Sequence, residues 1–344
     1  MTAIGSITTT PGPAGAQSPV RPRRRVLPRP VSGQELVLIG VIVLLWILLG
    51  LFTPAFLTAG SIRPLLANVA PIAIMGVGMT FIIIAAGIDI SIAGMLSVCA
   101  VIVAQLLVKV DIPLLPALLV AVVIGGVLGL FNGLLIAVGR VHPIIITFGT
   151  ANIFQFIGLQ IFDSKVVNGL PETLDPLGRG AAGRLLGIPN SFVLMLVIAV
   201  VAWRYLRYTP GGRHLYAIGS DSAAASMAGI RVRGRTIFTY ALTGLLVGLA
   251  ACIVIANGAQ SVAPGVGRGL ELQVIAAVVI GGTSIMGGRG TVLGTVLGAI
   301  LVQTVTSGVI QLGWPSQLAN AFVGLSIIVA VGADLLQQRL RRKA

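Results

Sequence analysis

The sequence predicts an all-α polytopic membrane bundle of about ten transmembrane helices, with the N- and C-termini in the cytoplasm. Of its 344 residues, 56% are hydrophobic and only 9% are charged, and the mean hydropathy is +1.03. Soluble domains normally carry about a quarter charged residues. A helix that spans a bilayer needs about 20 predominantly apolar residues, and ten apolar runs approach this length. The 45 glycines suit closely packed membrane helices.

The apolar runs set the order of the elements. We expect helices at about 36–53, 65–85, 94–110, 116–138, 144–162, 191–207, 237–257, 270–283, 291–312 and 316–334. Residues 1–35 are rich in Ser, Thr, Pro and Gly and include a basic cluster, which is typical of a disordered cytoplasmic tail. The spanning domain then covers 36–335, and residues 336–344 form a second basic cytoplasmic tail.

The distribution of positive charge predicts the orientation. With the N-terminus inside, 17 of the 23 Lys and Arg residues fall on the cytoplasmic side. The remaining six are Arg63, Lys109, Lys165, Arg179, Arg184 and Arg268. Cytoplasmic segments of membrane proteins carry an excess of Lys and Arg, so ten spans with both ends inside satisfy the rule.

Two hydrophilic segments interrupt the apolar runs. The segment 163–190 is predicted to lie outside, where a long loop in a compact domain is often functional. It is interpreted either as a surface for an extracytoplasmic partner or substrate, or as a tolerated surface insertion. The segment 208–236 is predicted to lie inside and is called the coupling segment below.

A short helix is predicted within the coupling segment. Asp221 or Ser222 can cap its N-terminus, the alanines that follow favour helix, and Gly229 can end it in a left-handed turn. So short a helix is unstable alone in water and needs a surface to lie against. Two interpretations stay open, a docking surface for a soluble partner with an acidic rim opposite Arg213 and its basic neighbours, or an ordinary solvated basic loop.

Two glycine-rich breaks between spans are candidate gate positions. In "GIDIS", Gly87 is expected to break the helix and Ser91 to cap the next one. Asp89 either caps the helix start, where the dipole favours negative charge, or anchors a cytoplasmic gate. The turn 281–290 repeats this pattern, and its candidate residues are Gly281, Gly282, Gly287 and Gly288.

Uncharged amides in the spans are candidates for lining a path. Amides both donate and accept hydrogen bonds without trapping charge, which suits neutral polyols. The candidates are Asn132, Asn152, Gln155 and Gln273. The other interpretation is hydrogen bonding between helices.

Several function classes are excluded or disfavoured. The net charge of +14 does not indicate nucleic acid, because the basic residues flank apolar runs rather than form one basic face. The two cysteines lie inside apolar runs and predict neither a disulfide nor a metal site. The sequence has no nucleophile–base pattern and no G-x-x-x-x-G-K-[ST] loop, so the chain is not expected to hydrolyse ATP or act as an enzyme. An ion-gradient-driven transporter of a small polar solute remains the alternative.

Four stretches carry a family resemblance. "GRHLYAIGSDSAAASMAGIRV" (212–232) contains Ser-Ala-Ala before Gly-Ile, and "AAGIDISIAGMLSV" (85–98) contains a Gly-Ile-Asp segment. "GLFNGLLIAVGRVHPIIITFGT" (129–150) has an Asn-Gly and a Thr-x-Gly-Thr element, and the last stretch is "GLELQVIAAVVIGGTSIMGGRGTVLGTVLGA" (269–299).

In this order, over about residues 36–335, the stretches resemble the permease family of bacterial ABC importers for ribose, galactose, xylose, rhamnose and autoinducer-2. The resemblance identifies the 212–232 stretch with the family's ATPase-coupling segment, where Ser222 takes the place of the usual acidic residue. The coupling residues it implies are Arg213, Gly219, Asp221, Ser222, Ala223, Ala224, Gly229 and Ile230.

The resemblance also implies the partners. They are cytoplasmic ABC ATPases that bind ATP and Mg, a second identical or related permease, a periplasmic or lipid-anchored solute-binding protein, and membrane lipid, but no nucleic acid. This chain itself is expected to hold no cofactor. The expected location is the bacterial inner membrane, and the expected solute is a pentose, hexose, deoxyhexose or autoinducer-2. The loop "VNGLPETLDPLG" (167–178) leans toward the autoinducer-2 branch.

Overall fold

The computed structural model of the chain describes residues 33–178, 182–258 and 260–343. Within these ranges it contains thirteen α-helices, which are α1 Gly33–Phe52, α2 Ala59–Ile84, α3 Ile92–Lys109, α4 Leu114–Gly139, α5 Pro143–Phe162, α6 Asp175–Gly178, α7 Asn190–Tyr208, α8 Pro210–Ser220, α9 Ser222–Met227, α10 Val232–Asn257, α11 Leu270–Ile280, α12 Val292–Gln311 and α13 Gln317–Lys343. The same ranges hold a 3₁₀ turn at Glu172–Leu174 and four two-residue strands, which are β1 Val167–Asn168, β2 Arg184–Leu185, β3 Ile188–Pro189 and β4 Ser261–Val262.

The predicted helical membrane fold is confirmed. Eight described helices are long and apolar enough to cross a membrane, and two shorter apolar helices, α11 and Gln317–Val329 of α13, account for the other two predicted runs. Of the predicted tails, residues up to 32 lie outside the described residues. The C-terminal tail does not form a separate segment, because α13 continues as one helix to Lys343.

The helix α2 forms the centre of the bundle. It is 94% buried over its spanning window, whereas α1 is 17% and α4 28% buried. The helices α7, α10, α11 and α12 pack around α2, and α3 packs against α4, α5 and α10. The exposed sides of α1, α4, α5 and α7 carry large apolar side chains, which is the surface a helix presents to lipid.

Glycine lets α4 and α10 approach at backbone distance. A Cβ on Gly125 would lie 2.2 Å from the Gly244 carbonyl oxygen, and one on Gly129 would lie 2.2 Å from the Tyr240 carbonyl oxygen. Small residues at a helix crossing permit such close contact in membranes. The crossing fixes Tyr240 of α10 beside the break after α2 and Asn132 of α4 beside the start of α3.

Segments that the charge rule assigns to one side also meet in space. On the predicted outer side, β1 of the 163–190 segment pairs antiparallel with β4, with Val167 opposite Val262. On the predicted inner side, the 85–91 break, the 281–290 turn and the coupling segment are in mutual contact. Of the six cations predicted outside, Arg179 lies outside the described residues. These contacts agree with the predicted topology.

The coupling segment is more helical than predicted. It was expected to be a loop around one short helix, but α8 fills Pro210–Ser220 before α9 begins. Thr209 caps α8, since its Oγ1 accepts from the Gly212 amide nitrogen at 3.1 Å, and Pro210 occupies the first helical position, which favours a helix start. The Thr-Pro pair is the sequence signal that was missed.

Candidate functional site

The two helices of the coupling segment meet at an elbow held by Asp221. Its Oδ1 accepts from the amide nitrogens of Ala223 and Ala224, both at 2.9 Å. Asp221, rather than Ser222, is therefore the N-cap of α9. The helix ends as predicted, because Gly229 has φ +80° and the Ile230 amide donates back to the Ala225 carbonyl at 3.1 Å.

One face of α9 is covered and the other is open. Ala225 is buried against the bundle, whereas Ala224 is exposed and Met227 is 84% exposed. Ser222 and Ala223 are exposed as well, and Arg213 is exposed on the preceding helix α8. The outward side of the elbow thus presents small residues and the large side chain of Met227, with Arg213 beside them on α8.

The chain breaks after α2 as predicted, but Gly87 is not the residue with the left-handed backbone conformation. The left-handed residue is Ala86, with φ +61°, and not Gly87. Gly87 is needed for space instead, since a Cβ there would lie 2.9 Å from the Tyr240 Oη. That hydroxyl donates to the Ile88 carbonyl oxygen at 3.2 Å, which fixes the break against α10.

Asp89, and not Ser91, organises the start of α3. The prediction that Ser91 caps α3 is wrong, because its side chain makes no capping bond. Its Oγ and its amide nitrogen donate to Asp89 Oδ1, at 2.6 Å and 2.9 Å. The carboxylate is the stronger acceptor, so the serine hydroxyl turns toward it. Asp89 thus binds the residue that precedes α3, and its two predicted roles, as a cap of the helix start or as an anchor of a gate, stay predictions.

A buried polar chain extends from Asp89 into the bundle. Asn132 Nδ2 donates to Ser91 Oγ at 2.7 Å, and all three residues are fully buried. Burial of the carboxyl raises the Asp89 pKa to about 6. Within the described residues, Asp89 Oδ2 and Asn132 Oδ1 have no hydrogen-bond partner.

The four predicted path residues are not gathered in one place. Asn132 belongs to the Asp89 chain, whereas Asn152 is exposed and donates to the Phe148 carbonyl oxygen at 2.9 Å. Gln155 and Gln273 are half-buried on α5 and α11. Their role in lining a path stays a prediction.

The 281–290 turn forms as predicted, with positive φ at three of its glycines. These values are +94° at Gly282, +85° at Gly287 and +72° at Gly288. Gly281 is right-handed, and a Cβ there would lie 2.3 Å from the Gly294 carbonyl oxygen, so the turn lies directly on α12.

The coupling segment contacts both breaks at once. The Gly288 amide nitrogen donates to the Ile84 carbonyl oxygen at 2.9 Å, which joins the two breaks. A Cβ on Gly219 would lie 1.8 Å from that Ile84 oxygen and 2.5 Å from the Gly288 nitrogen. Tyr216 Oη also donates to the Gly290 carbonyl oxygen at 2.9 Å. Helix α8 therefore rests on both breaks by backbone contact, and this junction is the candidate functional site.

Two further residues were missed by sequence reasoning. Glu35, in the first turn of α1, is buried and accepts from Thr291 Oγ1 at 2.7 Å. The side chain of its neighbour Gln34 lies over Gly282. The first turn of α1 therefore holds the 281–290 turn near both of its ends. The sequence signal that could have found them is the charged residue Glu35, which stands directly before the apolar run 36–53.

The comparison with protein families identifies the class of protein. The family described as the permease component of the branched-chain amino acid transport system matches residues 61–331, and the chain belongs to this family. Together with the relatives described below, this match confirms the predicted ABC importer permease family. With eight candidate spans among its described residues, the chain is a multi-pass inner-membrane permease component and not an enzyme.

Curated relatives cover most of the chain. The ribose import permease protein of Bacillus subtilis is 37% identical over 298 residues, which is 86% of this chain and 91% of the relative. The D-allose transport system permease protein of Escherichia coli is 33% identical over 282 residues, covering 82% and 85%. A probable ABC transporter permease protein of Escherichia coli is 34% identical over 316 residues, covering 90% and 92%. No solved structure matches the chain.

Proposed function

We propose that the chain is the membrane-spanning permease subunit of a binding-protein-dependent ABC importer that carries a monosaccharide-type solute into the cell. The names of the relatives, which are import permeases for ribose and D-allose, support the solute class. The solute is a pentose, hexose, deoxyhexose or autoinducer-2. Two copies, or this chain and a related one, enclose the path, and a periplasmic or lipid-anchored protein delivers the solute to the outer side.

The energy comes from separate ATPase subunits that bind the exposed side of the α8–α9 elbow. The observation that carries this mechanism is the backbone contact of Gly219 with Ile84 and Gly288. Because backbone atoms cannot yield as a flexible side chain can, a shift of α8 must displace both breaks. ATP-driven closure of the ATPases would thus move the inner ends of α2 and α12 and open the path inward.

A proline in α9 tests this mechanism. Ala224→Pro removes an amide that Asp221 caps, and a proline there disfavours the helical conformation of the preceding residue, Ala223. We expect uptake and ATPase co-purification to be lost while the amount of inserted protein stays unchanged. Ser226→Ala, on the same helix, is the control and should retain both. Uptake that survives Ala224→Pro in an inserted protein contradicts the docking assignment.

Binding measurements on the solute-binding protein that delivers solute to this chain identify the solute. Tight binding of a pentose, hexose, deoxyhexose or autoinducer-2 supports the proposal. Tight binding of a branched-chain amino acid, with no sugar bound, would contradict it.

The ion-driven alternative depends on Asp89, which is buried with one unpartnered oxygen among the described residues. A carboxyl of this kind can take up and release a proton. Uptake that persists after ATP depletion and collapses with the proton gradient would favour this alternative over the ABC mechanism.

A further inference from the structure

A cavity of about 520 Å³ lies between the coupling segment, the 85–91 break and α10. Its walls include Gly87 of the break, the elbow residues 218–222, and Thr236, Thr239 and Tyr240 of α10. Small-molecule sites in proteins have volumes of about 300–1,000 Å³. The cavity therefore has the size of a ligand site, and it lies on the side predicted to face the cytoplasm.

Four hydroxyl groups of the wall donate within the chain, whereas the hydroxyl of Ser222, which also lines the cavity, has no bond to another described residue. Thr236 Oγ1 donates to the Val232 carbonyl oxygen at 3.2 Å, Thr239 Oγ1 to the Thr236 carbonyl oxygen at 2.8 Å, and Ser220 Oγ to the Tyr216 carbonyl oxygen at 2.9 Å. Tyr240 Oη donates to the break. A hydroxyl that donates once still has lone pairs that accept. All four residues line the cavity, so each brings an oxygen that can still accept a hydrogen bond.

Asp221 adds a charged acceptor to this wall. Its Oδ1 is occupied by the cap of α9, and its Oδ2 has no bond to another described residue. The carboxylate and the lone pairs of the wall oxygens favour an occupant that supplies hydrogen-bond donors, and the negative charge disfavours phosphates and other anions. A metal ion would need several oxygen ligands close together, whereas Ile82, Ile136 and Ile218 make a large part of the wall apolar.

We propose that this cavity is a cytoplasmic-side binding site for a neutral monosaccharide. The hydroxyl groups of a sugar donate to the wall oxygens, and its C–H faces pack on the isoleucines. Because the occupant touches both the elbow and the 85–91 break, it holds α8 and α9 against α2. Imported sugar then slows further transport. The solute class rests on the function proposed above, whereas the cavity and its acceptor pattern do not.

Thiol labelling of the cavity tests occupancy directly. The native Cys99 and Cys252 are fully buried, so a cysteine introduced by Thr236→Cys reports its own accessibility. In the purified chain, we expect D-ribose or D-allose to slow labelling at this position several-fold. Ser226→Cys, exposed on α9 outside the cavity, should label at the same rate with and without sugar. Labelling of Thr236→Cys that no monosaccharide slows overturns the proposal.

A matched pair of valine variants tests the contact. Thr239→Val removes an oxygen of the cavity wall. Thr243→Val is the control, because Thr243 lies one helical turn away and outside the cavity. Its hydroxyl likewise donates to a carbonyl oxygen of its own helix, that of Thr239, at 2.8 Å. Both valine changes are made in the Thr236→Cys protein. With Thr239→Val, we expect the sugar concentration that halves the labelling rate to rise about fivefold, which corresponds to the loss of one hydrogen bond. Equal effects of the two valines overturn the proposal.

Transport separates this inference from the proposed function. Proteoliposomes with the complete importer are preloaded with the sugar that protects Thr236→Cys, and the initial uptake rate is measured. A lower rate that Thr239→Val restores is expected. Uptake unaffected by preloading overturns the cavity's role but leaves the importer proposal intact. Protection without any ATP-dependent sugar uptake contradicts the importer proposal but supports the cavity.

Discussion

The amide nitrogen of Gly288 donates to the carbonyl oxygen of Ile84 at 2.9 Å. This bond joins the end of α2 to the turn before α12, and Gly219 of α8 is in contact with both of its atoms. Helix ends leave carbonyl groups without intrahelical partners, and here the carbonyl of the end of α2 is satisfied by a distant turn. The predictions below follow from this junction and its neighbours.

Adding one methyl group at Gly219 should separate α8 from Ile84 and Gly288. In Gly219→Ala the Cβ would lie 1.8 Å from the Ile84 oxygen, so α8 must move away. We expect loss of most transport activity and weaker coupling of ATP hydrolysis to uptake, measured in proteoliposomes. Gly234→Ala is the matched control, since a Cβ there meets nothing within 4 Å. Normal uptake by Gly219→Ala would show that the close contact is dispensable.

The cap formed by Asp221 should stabilise helix α9. Asp221→Ala removes the acceptor of two amide bonds and should cost about 1 kcal/mol of helix stability. Asp221→Asn keeps an acceptor oxygen and should cost less. We expect amide hydrogen exchange in α9 to speed up about fivefold in the alanine variant. Equal exchange rates in the two variants would rule out the cap as the cause.

Asp89 should make stability depend on pH. Burial raises its pKa from 3.8 to about 6, so between about pH 4 and about pH 6 the folded chain binds more protons than the unfolded chain. Stability therefore is highest below this window, falls as the pH rises through it, and stays lower above it. Asp89→Asn should remove this fall in melting temperatures of the purified protein. The same fall in both proteins would assign it to another group.

Thr291 should stabilise the turn through two bonds. Its Oγ1 donates to Glu35 at 2.7 Å and accepts from the Gly294 amide at 3.0 Å. Thr291→Val loses both and should destabilise the protein by about 2 kcal/mol or more. Thr291→Ser keeps both, and its unfolding by denaturant should stay close to that of the unchanged protein. If the serine variant were as unstable as the valine variant, the loss of stability would come from the missing methyl contacts of Thr291 and not from its two hydrogen bonds.

The path prediction is tested on α5. If Asn152 and Gln155 line the path, cysteines at these positions should react with a polar thiol reagent, and transported solute should slow the reaction. Ile153→Cys, on the exposed apolar side of the same helix, should not be protected. Equal behaviour of the three positions would indicate that the amides bond between helices instead.

Much of the architecture was predictable because hydropathy and capping are local. Runs of apolar residues located the ten helices, although α2 and α10 begin six and five residues before the predicted runs and α13 ends nine residues after its run. Asp221 and Gly229 marked the ends of α9. The sequence missed α8, since its composition is polar and its stability comes from burial of Leu215 and Ile218. It also assigned the cap of α3 to Ser91, because spacing alone does not show that a neighbouring carboxylate competes for the hydroxyl.

By itself, the sequence determined that this protein is a helical membrane protein whose motifs resemble those of ABC importer permeases. Only the tertiary structure decided that Ile84, Gly219 and Gly288 meet, and that Asn132 joins Asp89 through Ser91. These residues are far apart in the chain, and their contacts depend on how the helices pack. Small residues permit backbone approach at many places along such a chain, and only the packed bundle selects the positions where it occurs.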